Sequence, residues 1–183
     1  APPASPAATN AAAAAAAAAA GCGAGRVQEL RLHLTLDPDR VVAGLDRRTT
    51  LMIRNIPNKY SQKMLLSAVD ELHRGAYDFF YLPIDFKNKC NVGYAFINFI
   101  DHASIPSFAR TFNRHKWERF NSDKVCELTY ARIQGKAALI SHFQNSSLMA
   151  EDRKCRPLIF HSDGPLQGTP EPFPVGPNIR RRD

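Results

Sequence analysis

The order of apolar patterns between residues 49 and 132 constrains the fold of this chain most. Alternation typical of strands and the wider spacing typical of helices follow one another as β-α-β-β-α-β. This order is the split βαβ arrangement, in which a four-stranded antiparallel sheet carries both helices on one face. We therefore expect an α+β, ferredoxin-like domain whose second sheet face is not covered by those helices.

The predicted elements are separated by turn-forming residues. The predicted strands share apolar alternation bounded by Pro, Asn or Gly, and they are 49–55, 76–85, 92–99 and 125–132. The predicted helices are 61–72, which Ser61 caps and Gly75 follows, and 102–113.

A further helical pattern runs from Gln134 to about Leu148, beyond the last predicted strand. Its apolar side carries Ala137, Ile140 and Phe143, and this side must be buried somewhere. Two placements remain open. The helix lies across the free sheet face and regulates access to it, or it packs beside the sheet and extends the core.

Composition divides the chain into three parts. Residues 1–45 comprise an Ala/Pro-rich segment and a linker, in which the leucine alternation at 30–36 indicates a weak strand or unfolded chain. Residues 46–163 carry the domain with its helical extension, and 164–183 form a Pro/Gly-rich tail. We expect the Ala/Pro-rich segment and the tail to be disordered.

Charge and cysteine spacing narrow the classes of function. The net charge of +7 suits a polyanionic partner such as nucleic acid. The four cysteines are too widely spaced for a zinc ribbon and are not paired with histidines at ligand spacing, so we expect no metal or other cofactor. Free thiols indicate an intracellular protein, nuclear or cytoplasmic. We expect neither membrane association nor catalysis, because the sequence shows no apolar span and no arrangement of catalytic residues.

The strand at 92–99, VGYAFINF, assigns different roles to the two sheet faces, because side chains alternate across a strand. One set is small and apolar and would pack beneath the helices: Gly93, Ala95, Ile97 and Phe99. The other set would lie on the free face: Val92, Tyr94, Phe96 and Asn98. Exposed rings there would stack nucleic-acid bases, at about 1–3 kcal/mol each. Alternatively, a second layer such as the C-terminal helix covers both rings.

The octamer VGYAFINF resembles that of the RNA recognition motif, and LMIRNI at 51–56 resembles the hexamer on its neighbouring strand. Val92 departs from the octamer, since Lys or Arg is usual there, and Met52 stands where the hexamer usually has a ring. Met52 can still cover a base face, and Arg54 on the same side can stack or reach phosphate. We therefore expect the sheet to need help from residues outside it.

Three longer stretches of the sequence resemble one particular family with this motif. IRNIPNKYSQKML, YDFFYLPIDFKNKCNVGYAFINF and YARIQGKAALISHFQNSSLM are similar to the C-terminal RNA recognition motif of the Mei-two-like family, which includes the plant terminal-ear-like proteins. The resemblance implies single-stranded RNA as the partner, in post-transcriptional regulators of meiosis or development. It also implies that Tyr94 and Phe96 are the ring positions of the octamer, and that Met52 and Arg54 are the face positions of the hexamer.

Further candidate RNA contacts lie around the predicted sheet. Lys87 and Lys89 are in the basic loop that enters the octamer strand, where they can touch phosphate or be simply solvated. Tyr81 can share the free face with Tyr94 and Phe96. Arg132 and Lys136 follow the last strand, where the chain can reach a bound base or carry ordinary surface charge.

A protein-interaction module is the alternative function. In that case the C-terminal helix covers the sheet and buries Tyr94 and Phe96. The loop with Arg119 and Phe120 motivates this alternative, because some domains that resemble the RNA recognition motif bind peptides through such a loop. The C-terminal helix or the tails can also bind other proteins.

Overall fold

The computed structural model describes residues 24–174 and residue 176. Its helices and strands follow one another as α1 (Ala24–Leu34), α2 (Pro38–Val42), β1 (Thr50–Arg54), α3 (Gln62–His73), β2 (Tyr77–Tyr81), β3 (Ile84–Asp85), β4 (Cys90–Asn91), β5 (Tyr94–Phe99), α4 (Ile105–Phe112), β6 (Glu127–Tyr130), α5 (Lys136–Phe143), β7 (Leu158–Phe160) and β8 (Pro170–Glu171). Single turns of 3₁₀ helix lie at His102–Ser104, Ser147–Ala150 and Arg153–Cys155.

The α+β, ferredoxin-like fold expected from the sequence is confirmed, and its sheet is wider than predicted. All neighbouring strands are antiparallel and lie in the order β6-β1-β5-β2-β7-β8. The predicted strands form the β6-β1-β5-β2 part, and the C-terminal extension adds β7 and β8 at the β2 edge. β3 and β4 form a separate hairpin beside the sheet.

The main core lies between the sheet and the helices α3 and α4. Ser61 begins α3 by accepting a hydrogen bond on Oγ from the Met64 N–H at 3.2 Å, as expected for an N-cap. The core residues from the sheet are fully buried and include Leu51, Ile53, Phe80, Ala95, Ile97 and Phe99. The packing face predicted for the octamer strand is therefore confirmed in these last three residues.

Gly93 differs from the packing role expected of it. It precedes β5 with a φ of 96°, a conformation that favours glycine. Apart from its two chain neighbours, no residue in the described part of the chain lies within 4 Å of the position that a Cβ would take there. The backbone conformation, rather than a close helix, thus accounts for this glycine.

The chain before residue 46 is helical where a weak strand or linker was expected. Leu30 and Leu34 lie in α1, and Leu36 and Val41 are buried in the main core. Leucines at every second position also recur at every fourth position, and side chains four residues apart lie on one face of a helix. Leucine also favours helix. Both interpretations, a weak strand and an unfolded linker, were therefore wrong where the two helices form.

The tail after residue 163 is also partly in the fold, because Pro170 and Glu171 form β8 and pair with β7. The remaining residues predicted to be disordered, 1–23, 175 and 177–183, lie outside the described part of the chain. In the part that is described, no helix has the length and apolar character needed to cross a bilayer.

Candidate nucleic-acid interface

The sheet face opposite α3 and α4 brings together four of the predicted RNA contacts. Met52 lies directly opposite Phe96, and Arg54 lies opposite Tyr94. The Tyr94 and Phe96 rings meet edge to face, with centroids 5.7 Å apart and planes at 75°. Arg54 is exposed and the other three side chains are half-buried. We call these four residues the platform, and its two rings, thioether and cation can hold stacked bases.

The helix α5 covers the neighbouring part of the same face. Phe143 of α5 stacks on Phe79 with ring centroids 6.0 Å apart, and it meets the edge of Tyr81 at 5.1 Å. Tyr81 is only 5% exposed, and burial raises the pKa of its hydroxyl. The expectation that Tyr81 shares the face was correct in register, since it lies opposite Phe96. Its expected accessibility was wrong, because Phe143 covers it.

A second apolar cluster fills the space between α5 and the sheet. Its buried members are Phe79, Tyr81, Leu139, Phe143, Leu148 and Ile159. Phe96 and Ile140 pack against it, whereas Ala137 is exposed. Of the two open placements, α5 therefore lies across the sheet face, but on the β2 and β7 side. Met52, Arg54 and Tyr94 lie outside this cluster.

Hydrogen bonds hold the start of α5 against β1. Gln134 accepts on Oε1 from the Thr49 and Thr50 N–H groups at 3.1 and 3.0 Å. Its Nε2 donates to the carbonyl oxygens of Thr50 and Ala131 at 3.0 and 2.8 Å. The Gly135 N–H donates to Thr50 Oγ1 at 2.8 Å. Because both ends of the Gln134 amide are used, the backbone of β1 fixes where α5 begins.

Asn98 is buried within the fold rather than available on the free face. Its Oδ1 accepts from the hydroxyls of Thr49 and Thr50, both at 2.7 Å, and its Nδ2 donates to Asp78 at 2.7 Å. Asp78 also accepts from the Ser162 hydroxyl at 2.8 Å. Asn98 is 3% exposed, so its expected accessibility was wrong. It links β1, β5 and β2 to the C-terminal extension.

Lys136 also forms its hydrogen bonds within the fold. Its Nζ donates to Phe160 O at 2.7 Å, to Ser162 Oγ at 3.1 Å and to Glu171 at 2.8 Å. The hydrogen bond from Lys136 lowers the pKa of Glu171. Lys136 was expected either to reach a bound base or to carry ordinary surface charge, whereas its ammonium ties α5 to β7 and β8.

The other predicted cations are exposed: Arg54, Lys87, Lys89 and Arg132. Asp85 shapes the turn that carries Lys87, since its carboxylate accepts the Lys87 N–H at 2.9 Å, and this bond lowers the pKa of Asp85. Within the described residues, these four cations make no ion pair. Arg54 lies at the end of β1, whereas Arg132 follows β6 at the opposite end of the sheet.

Two residues at the rim of the platform were missed from the sequence. Thr129 lies opposite Met52, and Glu127 lies opposite Arg54. Thr129 is half-buried and Glu127 is exposed. The alternation of the last strand, in which Leu128 is buried, was the signal that could have found them.

The RNA recognition motif 2 family model matches residues 48–144 of this chain. The chain is 65% identical over 158 residues to Protein MEI2-like 4 of Oryza sativa subsp. japonica, an alignment that covers 86% of this chain and 16% of that protein. It is 69% identical over 147 residues to Protein MEI2-like 1 of Arabidopsis thaliana, covering 80% of this chain and 16% of that protein. The chain thus spans only a small part of the length of these relatives.

Solved structures with a similar fold include the Sex-lethal RNA recognition domains 1 and 2 from Drosophila melanogaster, with 21% identity, coverage of 46% of this chain and 50% of that chain, and a TM-score of 0.38. The structure of the RNA15 RRM matches with 20% identity and a TM-score of 0.40, and the match covers 47% of this chain and 92% of that chain.

Proposed function

This chain belongs to the RNA recognition motif 2 family, and from that premise we propose that it binds single-stranded RNA on the platform. The supporting observation is that α5 covers the β2 side of the sheet and leaves Met52, Arg54 and Tyr94 outside the buried cluster, while Phe96 is half-buried at the border of that cluster. Bases would stack on Tyr94 and Phe96, with Met52 covering a base face beside them. Because Phe143 occupies the surface over Phe79 and Tyr81, the sheet itself has room for about two stacked bases.

The polar rim of the platform supplies selectivity and charge in this proposal. Glu127 is an acceptor next to Arg54, and a carboxylate can accept hydrogen bonds from the amino group of a base. Arg54, Lys87 and Lys89 would contact phosphates near one end of β5, and Arg132 would contact phosphate or a base at the other end. Tyr81, Asn98 and Lys136 would act indirectly, by holding α5 and the C-terminal extension in place.

We place this binding module in post-transcriptional regulation inside the cell, in meiosis or development. The Mei-two-like resemblance supports this role, and the free thiols of Cys90, Cys126 and Cys155 suit a reducing compartment. We propose a binding rather than an enzymatic role for this part of the protein. The rest of the longer relatives would contribute to the biological outcome.

Titration of short labelled RNAs by fluorescence anisotropy tests the proposal. Replacing Tyr94 and Phe96 together by Ala should weaken binding by roughly 2–5 kcal/mol, on the scale of base stacking on aromatic side chains. Leu72→Ala is the control, because Leu72 is 72% exposed on α3, on the other side of the sheet. A folded double variant that binds RNA as tightly as the unaltered chain would disprove the platform proposal.

The alternative function is a protein-interaction module, and the cover provided by α5 is the observation that favours it. It predicts negligible RNA binding at physiological salt for the unaltered chain as well as for the double variant. The platform proposal instead predicts binding that weakens steeply as salt increases. The salt titration of the unaltered chain therefore separates the two functions.

A further inference from the structure

We propose that the loop 114–125, between α4 and β6, carries a second RNA contact, in which a base stacks on Phe120 and phosphates reach Lys59 and Lys124. This proposal rests on the proposed function, because it extends the same RNA strand beyond the platform. It assigns a ligand to an aromatic side chain outside the sheet.

The backbone holds Phe120 in an unfavourable conformation. Phe120 has a φ of 67° and the following Asn121 has a φ of 46°. Such consecutive left-handed residues are usually Asn or Gly, and a bulky side chain is rare there. Lys116 and Val125 pair across the base of the loop, so the turn is fixed at both sides. Backbone strain of this kind is concentrated at functional sites.

The Phe120 ring is accessible and packs on a buried aromatic ring. It is 43% exposed, and its ring meets that of Tyr60 edge to face at a centroid distance of 5.4 Å. Tyr60 packs in turn on Trp117 at 5.3 Å, and both of these residues are buried. A ring that is exposed yet supported from below offers a base a stacking surface at little conformational cost.

Lysines lie in both chain segments that contact this aromatic group, the loop itself and the segment with Tyr60. Lys124 Nζ donates to Asn58 Oδ1 at 3.2 Å and to Ile56 O at 3.5 Å, which are neutral acceptors, so its charge is not compensated by them. Lys59 is exposed between Asn58 and Tyr60. Both ammonium groups therefore belong to the segments that meet beside Phe120, where a phosphate would be attracted.

The loop has more cations than carboxylates. Its basic residues are Arg114, Lys116, Arg119 and Lys124, and its acidic residues are Glu118 and Asp123. Asp123 forms an ion pair with Lys116 at 3.2 Å, in which both side chains are largely exposed. The remaining excess of positive charge suits a polyanionic strand such as RNA.

The loop is continuous with the platform. Asn55, which follows Arg54 of the platform, donates from Nδ2 to Val125 O at 3.1 Å. The Ile56 N–H donates to Gly93 O at 3.0 Å, next to Tyr94. These bonds place the end of the loop beside the Arg54 end of the platform, so an RNA strand that continues past Arg54 would meet Lys124 before Phe120.

RNAs of two lengths test the inference by fluorescence anisotropy. Phe120→Leu should weaken binding of an RNA of about ten nucleotides at least about fivefold, and leave an RNA of about four nucleotides unaffected, because only the longer strand reaches the loop. Phe120→Trp should restore binding, since it restores a stacking surface. Leu72→Ala is the control for an exposed apolar residue.

The outcomes separate this inference from the proposed function. If Phe120→Leu changes neither RNA while the Tyr94 and Phe96 double variant weakens both, the loop contact is wrong and the platform stands. In that case a protein partner is the remaining candidate ligand for the exposed loop. If the double variant changes neither RNA, the platform itself is wrong. If Phe120→Leu weakens both RNAs equally, it acts through the fold, and the loop contact is wrong.

A charge variant provides an independent measurement. Lys59→Gln should reduce the slope of log affinity against log salt by about one for the longer RNA. Arg110→Gln on α4 is the control, because Arg110 is exposed on a helix that packs on the other face of the sheet. An unchanged slope in Lys59→Gln would overturn the phosphate contact.

Discussion

Phe143 stacks on Phe79 with ring centroids 6.0 Å apart and planes only 21° apart. This contact places a ring of α5 on the same sheet face that carries the platform. A protein side chain thus occupies a surface on which a base could otherwise stack. The extension both completes the fold and limits the sheet area that is left for the proposed RNA contacts.

Phe143→Ala should reveal both the contribution of Phe143 to stability and its covering of the sheet face. Phe143 is 5% exposed, so its truncation should lower the free energy of unfolding by about 3–5 kcal/mol. The variant should also expose Phe79 and Tyr81 and tighten binding of longer RNAs relative to shorter ones. Urea unfolding followed by the emission of Trp117, the only tryptophan, measures the stability. Ser141→Ala, at an exposed position of α5, should change neither quantity.

Gln134→Ala should loosen α5 without altering its apolar residues. The substitution removes four hydrogen bonds to the backbone of β1 and to Ala131. At about 1 kcal/mol for each bond, the variant should lose about 2–4 kcal/mol of stability. Amide hydrogen exchange at Thr49 and Thr50 should accelerate more than elsewhere in the sheet. Gln144→Ala, at the other end of α5, is the matched control, and equal effects of both substitutions would contradict this account.

The sequence predicted the centre of the fold well because its signals there are local. Alternation placed Ala95, Ile97 and Phe99 in the core, and the Ser61 cap began α3. These features depend only on neighbours along the chain. The same alternation in two strands placed Met52 and Arg54 on the face of Tyr94 and Phe96, and the structure adds which of them lie opposite one another.

The residues whose accessibility was predicted wrongly depend on contacts between distant parts of the chain. Tyr81 and Asn98 lie on the predicted face, but Phe143 covers the first, and Asp78 with Thr49 and Thr50 binds the second. No periodicity in the strand itself reports such partners. β7 and β8 were missed because both are short, and β8 also lies in the Pro-rich tail, where strand patterns are weak.

His73 should make stability depend on pH. It is 4% exposed, its Nε2 lies 3.3 Å from Ser107 Oγ, and its Nδ1 is buried with no hydrogen-bond partner among the described residues. Burial lowers the pKa of His73 below its usual value of 6.5. The unfolded chain therefore binds this proton more readily, so the contribution is complete above about pH 6.5 and is lost as pH falls.

The measurement for His73 is the free energy of unfolding at pH 7 and at pH 5. The decrease between these two values should be smaller in His73→Leu than in the unaltered chain, because the buried site can no longer be protonated. His115→Gln provides a comparison at an exposed histidine. An identical decrease in His73→Leu and in the unaltered chain would show that His73 is not responsible.

Lys87 and Lys89 should contribute charge rather than base selectivity. Both are exposed in the turn between β3 and β4, and the Asp85 carboxylate shapes this turn by accepting the Lys87 N–H. If each ammonium contacts a phosphate, Lys87→Gln and Lys89→Gln should each reduce the salt slope of RNA binding by about one and weaken all RNA sequences alike. Lys63→Gln on α3, another exposed lysine, should leave the slope unchanged. A substitution that instead changes the preferred RNA sequence would indicate that the turn reads bases, because contacts to phosphate carry no sequence information.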